Sequence, residues 1–224
     1  MKIQGWFITL ALFAFSCNQA ADAPPVKVDV YTRYEQEGKK LKAEAIFLEE
    51  NAAGGGKSLT FQGGVGFLGS GMLSRNLPGG IVRYEFERVM DLPENLSFHF
   101  TDEQGKTQNA DLKIPHVRDF ALLAEPLSRK GAFSLLVEGP PLMPEEKLVL
   151  IFSDANNQSL TLEGSSAAPS QEITFGPGML SKLAPGPVQV FLVRKSIANK
   201  SQGRYSYRIE TEFYTLGKTV ELGE

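Results

Sequence analysis

The chain has 224 residues, 42% hydrophobic and 22% charged, so it can bury proper cores and is not a disordered polymer. Its 23 Lys and Arg against 26 Asp and Glu give a net charge of −3 with the signs interspersed, which excludes the concentrated basic surface of a nucleic-acid groove. With two histidines, His99 and His116, a His-rich metal site is excluded as well, and no metal or cofactor is expected.

The chain opens with Lys2, an apolar run from Trp6 to Phe15, Ser16 and then Cys17, the single cysteine. A short basic start, a short apolar stretch and a small residue are the parts of an export signal, and the run is shorter than the roughly 20 residues of a membrane span. At its end, Phe13-Ala14-Phe15-Ser16-Cys17 resembles the lipobox of bacterial lipoproteins, in the looser form of some Gram-negative lineages. That resemblance implies a signal peptide over 1–16, cleavage before Cys17, lipidation of its sulfur and a lipid-anchored tether over 17–25. The several acyl chains, at about 0.8 kcal/mol per buried methylene, would hold the chain on a membrane of the cell envelope, the outer membrane over the inner. An ordinary secretory signal cut after Ala20 or Ala21 is the alternative. The lone cysteine favours the anchor, because exported domains usually keep cysteines in even numbers. On this reading the Asn-x-Ser sites at Asn95, Asn157 and Asn199 are incidental.

Beyond the tether, period-two alternation broken by Gly, Pro and Asn dominates, the pattern of half-buried antiparallel strands. Strands are expected at Val26 to Glu35, Lys40 to Glu49, Ser58 to Gln62, Ile81 to Met90 and Leu96 to Thr101. A second set is expected at Ala132 to Glu138, Lys147 to Ser153, Ser159 to Glu163, Gln171 to Phe175, Val188 to Lys195 and Tyr205 to Phe213. Between the sets, Val117 to Ser128 places Phe120, Leu123 and Leu127 at helical spacing, but Pro126 limits it to a turn or two of helix. The fold class is all-β: two tandem antiparallel β-sandwiches, over 26–116 and 131–224, joined by a linker over 117–130.

Self-similarity supports the division. Gly71 to Arg88 aligns without gaps on Gly178 to Lys195, sharing Gly, Met, Leu, Ser, Pro and Gly. The shared Met and Leu are expected to pack under a turn made by Pro78-Gly79 and Pro185-Gly186. Phe100-Thr101-Asp102 echoes Phe152-Ser153-Asp154 at another spacing, which reads as one β-turn written twice.

Several stretches approach a chemical motif and miss it. Gly54-Gly55-Gly56-Lys57-Ser58 ends like a phosphate-binding loop, but Asn51 stands where the first Gly belongs and a strand follows. Gly64-Val65-Gly66-Phe67-Leu68-Gly69 spells a dinucleotide fingerprint, with Asp91 beyond it, but no helix can follow, so it reads as a bulged β corner. His99 and His116 read as surface residues. Glu49-Glu50 and Glu145-Glu146 are adjacent and point to opposite faces of a strand. Asp102-Glu103 and Asp154 lack the spaced ligands of a calcium loop. Tyr205 and Tyr207 could form a sugar platform, but alternation makes them core residues. No catalytic or metal-binding residue is identified.

Taken together, the lipobox and the repeated Gly-Met-Leu-Ser…Pro-Gly corner resemble an exported bacterial lipoprotein with tandem immunoglobulin-like domains. The resemblance implies a membrane-anchored, non-catalytic binding or structural module of the envelope, with a protein or glycan partner and no nucleic acid. The alternative is a carbohydrate-binding surface lipoprotein, which predicts two or three coplanar exposed aromatics on one sheet face.

Overall fold

The computed structural model describes residues 23–50, 56–124 and 127–224, and Cys17 with the signal and most of the tether lies outside them. The architecture is all-β. The strands are β1 (Val26–Glu35), β2 (Lys40–Glu50), β3 (Gly56–Ser58), β4 (Val65–Phe67), β5 (Ser70–Gly71), β6 (Leu73–Asn76), β7 (Val82–Val89), β8 (Leu96–Thr101) and β9 (Thr107–Leu112). They continue as β10 (Asp119–Leu123), β11 (Leu127–Ser128), β12 (Phe133–Glu138), β13 (Glu146–Asp154), β14 (Ser159–Gly164), β15 (Glu172–Phe175), β16 (Gly186–Gln202), β17 (Tyr205–Tyr214) and β18 (Lys218–Gly223).

One large sheet runs β11-β18-β16-β17-β1-β2-β7-β6, with β13 on the other edge of β16, β14 beyond it, and β3 on β2. Two small sheets, β5-β4-β8-β9 and β10-β12-β15, complete the fold. The first packs on the β1–β2–β7 end, where Phe47 meets Phe98 at 6.2 Å and Phe100 at 4.8 Å between ring centroids, and Phe67 meets Phe86 at 5.1 Å. The second packs on the β13–β16 end, where Phe133 of β12 meets Phe152 of β13 at 6.2 Å. Such edge-on and offset ring pairs add about 0.5–1.5 kcal/mol each beyond the apolar area they bury.

The expected break at 117–130 does not divide the strands into two sets. Strand β16 is 17 residues long. Its first part, Gly186 to Val190, pairs with β18, while Val193 to Gln202 pairs with β17, whose far edge carries β1 in parallel register from Val26↔Tyr205 to Glu35↔Tyr214. The last hairpin therefore extends the part of the sheet that holds β1, β2 and β7, and β16 joins it to β13 and β18. Period two shows which face of a strand is buried but not which strand lies beside it, so alternation could not reveal this joining.

Two further expectations are corrected. Val117 to Ser128 carries no helix among its described residues. It forms β10 and β11, because Phe120 and Leu122 are both buried at period two while Leu123 is exposed. The strand expected at Ser58 to Gln62 stops at Ser58, and Leu59 and Phe61 pass into the first core outside any ladder. The Gly64 to Gly69 corner is a hairpin, with Leu68 and Gly69 both at positive φ as a type I′ turn requires. The His99 ring covers Gly66 so closely that no Cβ would fit there.

Candidate functional site

A cleft of about 930 Å³ opens beside the large sheet. Its lining comes from the end of β1 (Tyr34), the turn after it (Gln36, Lys39), the β7–β8 connection (Asp91 to Glu94), the β9–β10 connection (Lys113 to Arg118), Pro140, Glu146, Ser196 and Phe213. Leu92, Ile114, Val117 and Phe213 make it apolar inside, with both signs of charge around the mouth. Lys39 Nζ donates to Asp91 Oδ1 at 2.7 Å, and this hydrogen bond, before the charge itself, raises the lysine above its ordinary pKa. Exposed as it is, the pair fixes geometry more than it stabilises.

Beneath the cleft lies Arg194, 2% exposed. Its Nη1 donates to Pro140 O and its Nη2 to Pro141 O, both at 2.8 Å, its Nε donates to Glu146 Oε2 at 3.2 Å, and Nη2 also reaches that carboxylate. Met143 N donates to the same Oε2 at 2.9 Å. A buried guanidinium is tolerated when its donors are satisfied, and here they tie β16, β13 and the β12–β13 connection together. The signal for this residue was present in the sequence: a charge stands in the inward register after Val188, Val190 and Leu192. It was missed because no partner was visible.

The other candidates take structural places. His116 lies on the cleft wall with its ring 6.2 Å from Phe213, while His99 sits in β8 over Gly66, so the two histidines do not converge. Glu145 and Glu146 face opposite sides of the sheet, the first to the outer face and the second to the cleft. Asp102 and Asp154 make the same turn. Asp102 Oδ1 accepts from Gln104 N and Lys106 N, and Asp154 Oδ1 from Asn156 N and Gln158 N, with Gly105 and Asn157 at positive φ in matching places. Ala184 N donates to Asp154 Oδ2 at 2.8 Å, and this bond above all holds that carboxyl below its ordinary pKa. Among the described residues, no three His, Cys, Asp or Glu side chains gather as a metal site.

Tyr205 and Tyr207 are buried in the first core, as alternation predicts, and burial pushes the Tyr207 hydroxyl up to about 12. Among the described residues the half-buried aromatics are Tyr31, Phe191 and Tyr214, on the outer face of the large sheet. Tyr31 and Tyr214 both donate to Glu212 Oε2, at 2.6 and 3.1 Å, and the Arg33 guanidinium lies 4.9 Å from the centre of the Tyr214 ring. Burial first, and then the Glu212 bond, raises the Tyr31 hydroxyl far above its ordinary pKa. These rings are engaged within the face and do not stand out from it as a platform.

No protein-family model matches the chain, and no curated protein matches it. Among solved structures it is similar to a tetra-tandem repeat from the extending region of a large adhesion protein (10% identity, 88% of this chain and 49% of that one, TM-score 0.29). It is also similar to dimeric latent PorU of Porphyromonas gingivalis (10%, 93% and 21%, TM-score 0.28) and to murine CEACAM1b (9%, 88% and 100%, TM-score 0.27). The chain thus spans about half the length of the first and a fifth of the second. Likenesses at this level carry no argument here, and the architecture rests on the strands themselves.

Proposed function

We propose that the chain is a non-catalytic binding module of the bacterial cell envelope, fastened to a membrane through Cys17 and holding a partner in the cleft beside its large sheet. The observation that carries this reading is the cleft itself: apolar inside, mixed in charge at the mouth, and walled by connections that the large sheet brings together. Location rests on the Lys2 to Cys17 pattern, and the immunoglobulin-like description on the layered antiparallel strands. A carbohydrate-binding surface lipoprotein has less support, because the half-buried tyrosines of the outer face are tied to Glu212. Affinity capture of the anchored protein from its native envelope, with mass spectrometry of its N-terminus, tests the reading. An acylated Cys17 and a partner lost on filling the cleft with Leu92→Trp are expected; an unacylated start beyond Cys17, or substrate turnover by the purified protein, overturns it.

A further inference from the structure

What the cleft takes is written in two features of its walls. One wall is the consecutive stretch Lys113 to Arg118, which joins β9 to β10 with Ile114 and Val117 buried and Lys113 and His116 exposed. Arg118 N donates to Glu138 O at 2.9 Å. Among the described residues, by contrast, the main-chain N–H groups of Lys113, Ile114, His116 and Val117 make no hydrogen bond, and of the carbonyls from 113 to 117 only that of His116 is approached, by Arg194 Nη1 at 3.5 Å. Main chain of this kind beside an apolar trough leaves donors and acceptors free, of which an added strand would use those on alternate residues.

The second feature is Glu146. Its side chain is 9% exposed, and Oε2 takes every bond from Arg194 and Met143. Among the described residues Oε1 has no hydrogen-bond partner, and it is not sealed from solvent as the orphaned oxygens of Asp29 and Thr32 are. A carboxylate oxygen open to the cleft can exchange its water for a donor of a bound partner.

Resting on the binding-module reading, we infer that the cleft takes an extended segment of a partner polypeptide, added as a strand along Lys113 to Val117 with one of its hydrogen-bond donors on Glu146 Oε1. Main chain repeats donors and acceptors at the strand rise and sends alternate side chains to opposite sides, so every second side chain of the segment would meet Leu92, Ile114 and Phe213.

The test selects a displayed random-sequence peptide library on the full chain in detergent, with a glycan array as the competing probe. Enriched peptides are expected to slow hydrogen exchange at alternate amides of the wall, those of Ile114 and His116. His116→Pro removes one of these donors without breaking a bond of the free protein, and should weaken binding about tenfold beyond whatever His116→Ala, which keeps the N–H, costs through the lost ring. Glu146→Gln keeps Oε1 as an acceptor and should bind better than Glu146→Leu. The exchange measurement uses the unaltered chain, so it decides even where a variant fails to fold. Failure of any peptide to enrich, peptides that leave those amides unprotected, or glycan binding in the cleft overturns the assignment. If a native partner is still captured by His116→Pro while no peptide protects the wall, the strand site is wrong and the binding module stands.

Discussion

Gly71 to Arg88 and Gly178 to Lys195 align without gaps, yet they fold differently: Leu73–Asn76 is β6, whereas Gly178 to Leu183 makes turns in which Ser181 N donates to Gly178 O and Leu183 N to Leu180 O. In the first, Met72 is 9% exposed and Leu73 78%; in the second, Met179 is 46% exposed and Leu180 1%. The expectation that Met and Leu both pack under the turn is met by one residue of each pair, and not by the same one. The strands that follow continue the inversion: β7 turns Tyr84 and Phe86 inward, while β16 turns Val188, Val190, Leu192 and Arg194 inward, so inward Tyr84 aligns with outward Phe191. What the two copies share is a corner, marked by Pro and a Gly at positive φ in Gly79 and Gly186. Along the strand that follows the corner, the neighbouring ladder decides which of the two side-chain phases is kept. Similarity of the stretches is therefore a statement about turning, not about equivalent cores.

The largest expected effect tests the aligned pair Glu87 and Arg194. Arg194→Ala strands the buried Glu146 carboxylate and should cost about 3–5 kcal/mol in urea unfolding, whereas Glu87→Ala, at the surface beside Lys40 and Lys42, should leave the urea midpoint nearly unchanged. Comparable losses would show that the two copies are used alike. Next, Leu180→Ala should cost about 2–5 kcal/mol and Leu73→Ala within about 0.5 kcal/mol, measured the same way. Reversal of that order would break the inversion of phase.

Smaller and opposite in sign is Thr32→Val. The Oγ1 atoms of Thr32 and of its cross-strand neighbour Thr211 are buried without partners in the first core, so the substitution should stabilise by about 1 kcal/mol in thermal melts. The smallest effect concerns acid. The Asp154 carboxyl titrates below its ordinary value because it accepts from Ala184 first and then from Gln158 and Asn156, so its contribution is present above pH about 4 and is lost as pH falls through the lowered value. Asp154→Asn should melt lower at neutral pH and lose less on acidification. An unchanged acid slope would sever the link between the β13–β14 turn and the second corner.

Strand positions were largely legible because alternation is local: β1, β8, β12 and β14 begin and end within a residue of expectation. Turn chemistry was legible too, since Asp102 and Asp154 write the same turn in the same letters. The short strands β4 to β6, β9 and β18 were not, because β6 is exposed on both faces and the others hold too few apolar residues to set a period. The cleft was hidden for a different reason. Its walls come from connections spread from Tyr34 to Phe213, brought together by the large sheet, and the one mark it left was the misplaced charge at Arg194.

The pairing of β1 with β17 has a consequence for the order of folding. As the chain is made N-terminus first, residues 26 to 50 emerge early, yet one long edge of β1 finds its neighbour only when 205 to 214 have followed. Through most of synthesis that edge is bare, open to any passing polypeptide, and closure spans nearly the whole length of the protein, a topology that makes for slow maturation. Truncation after Gln202 should therefore leave not a shortened second half but an unfinished first one, prone to clumping or to proteolysis.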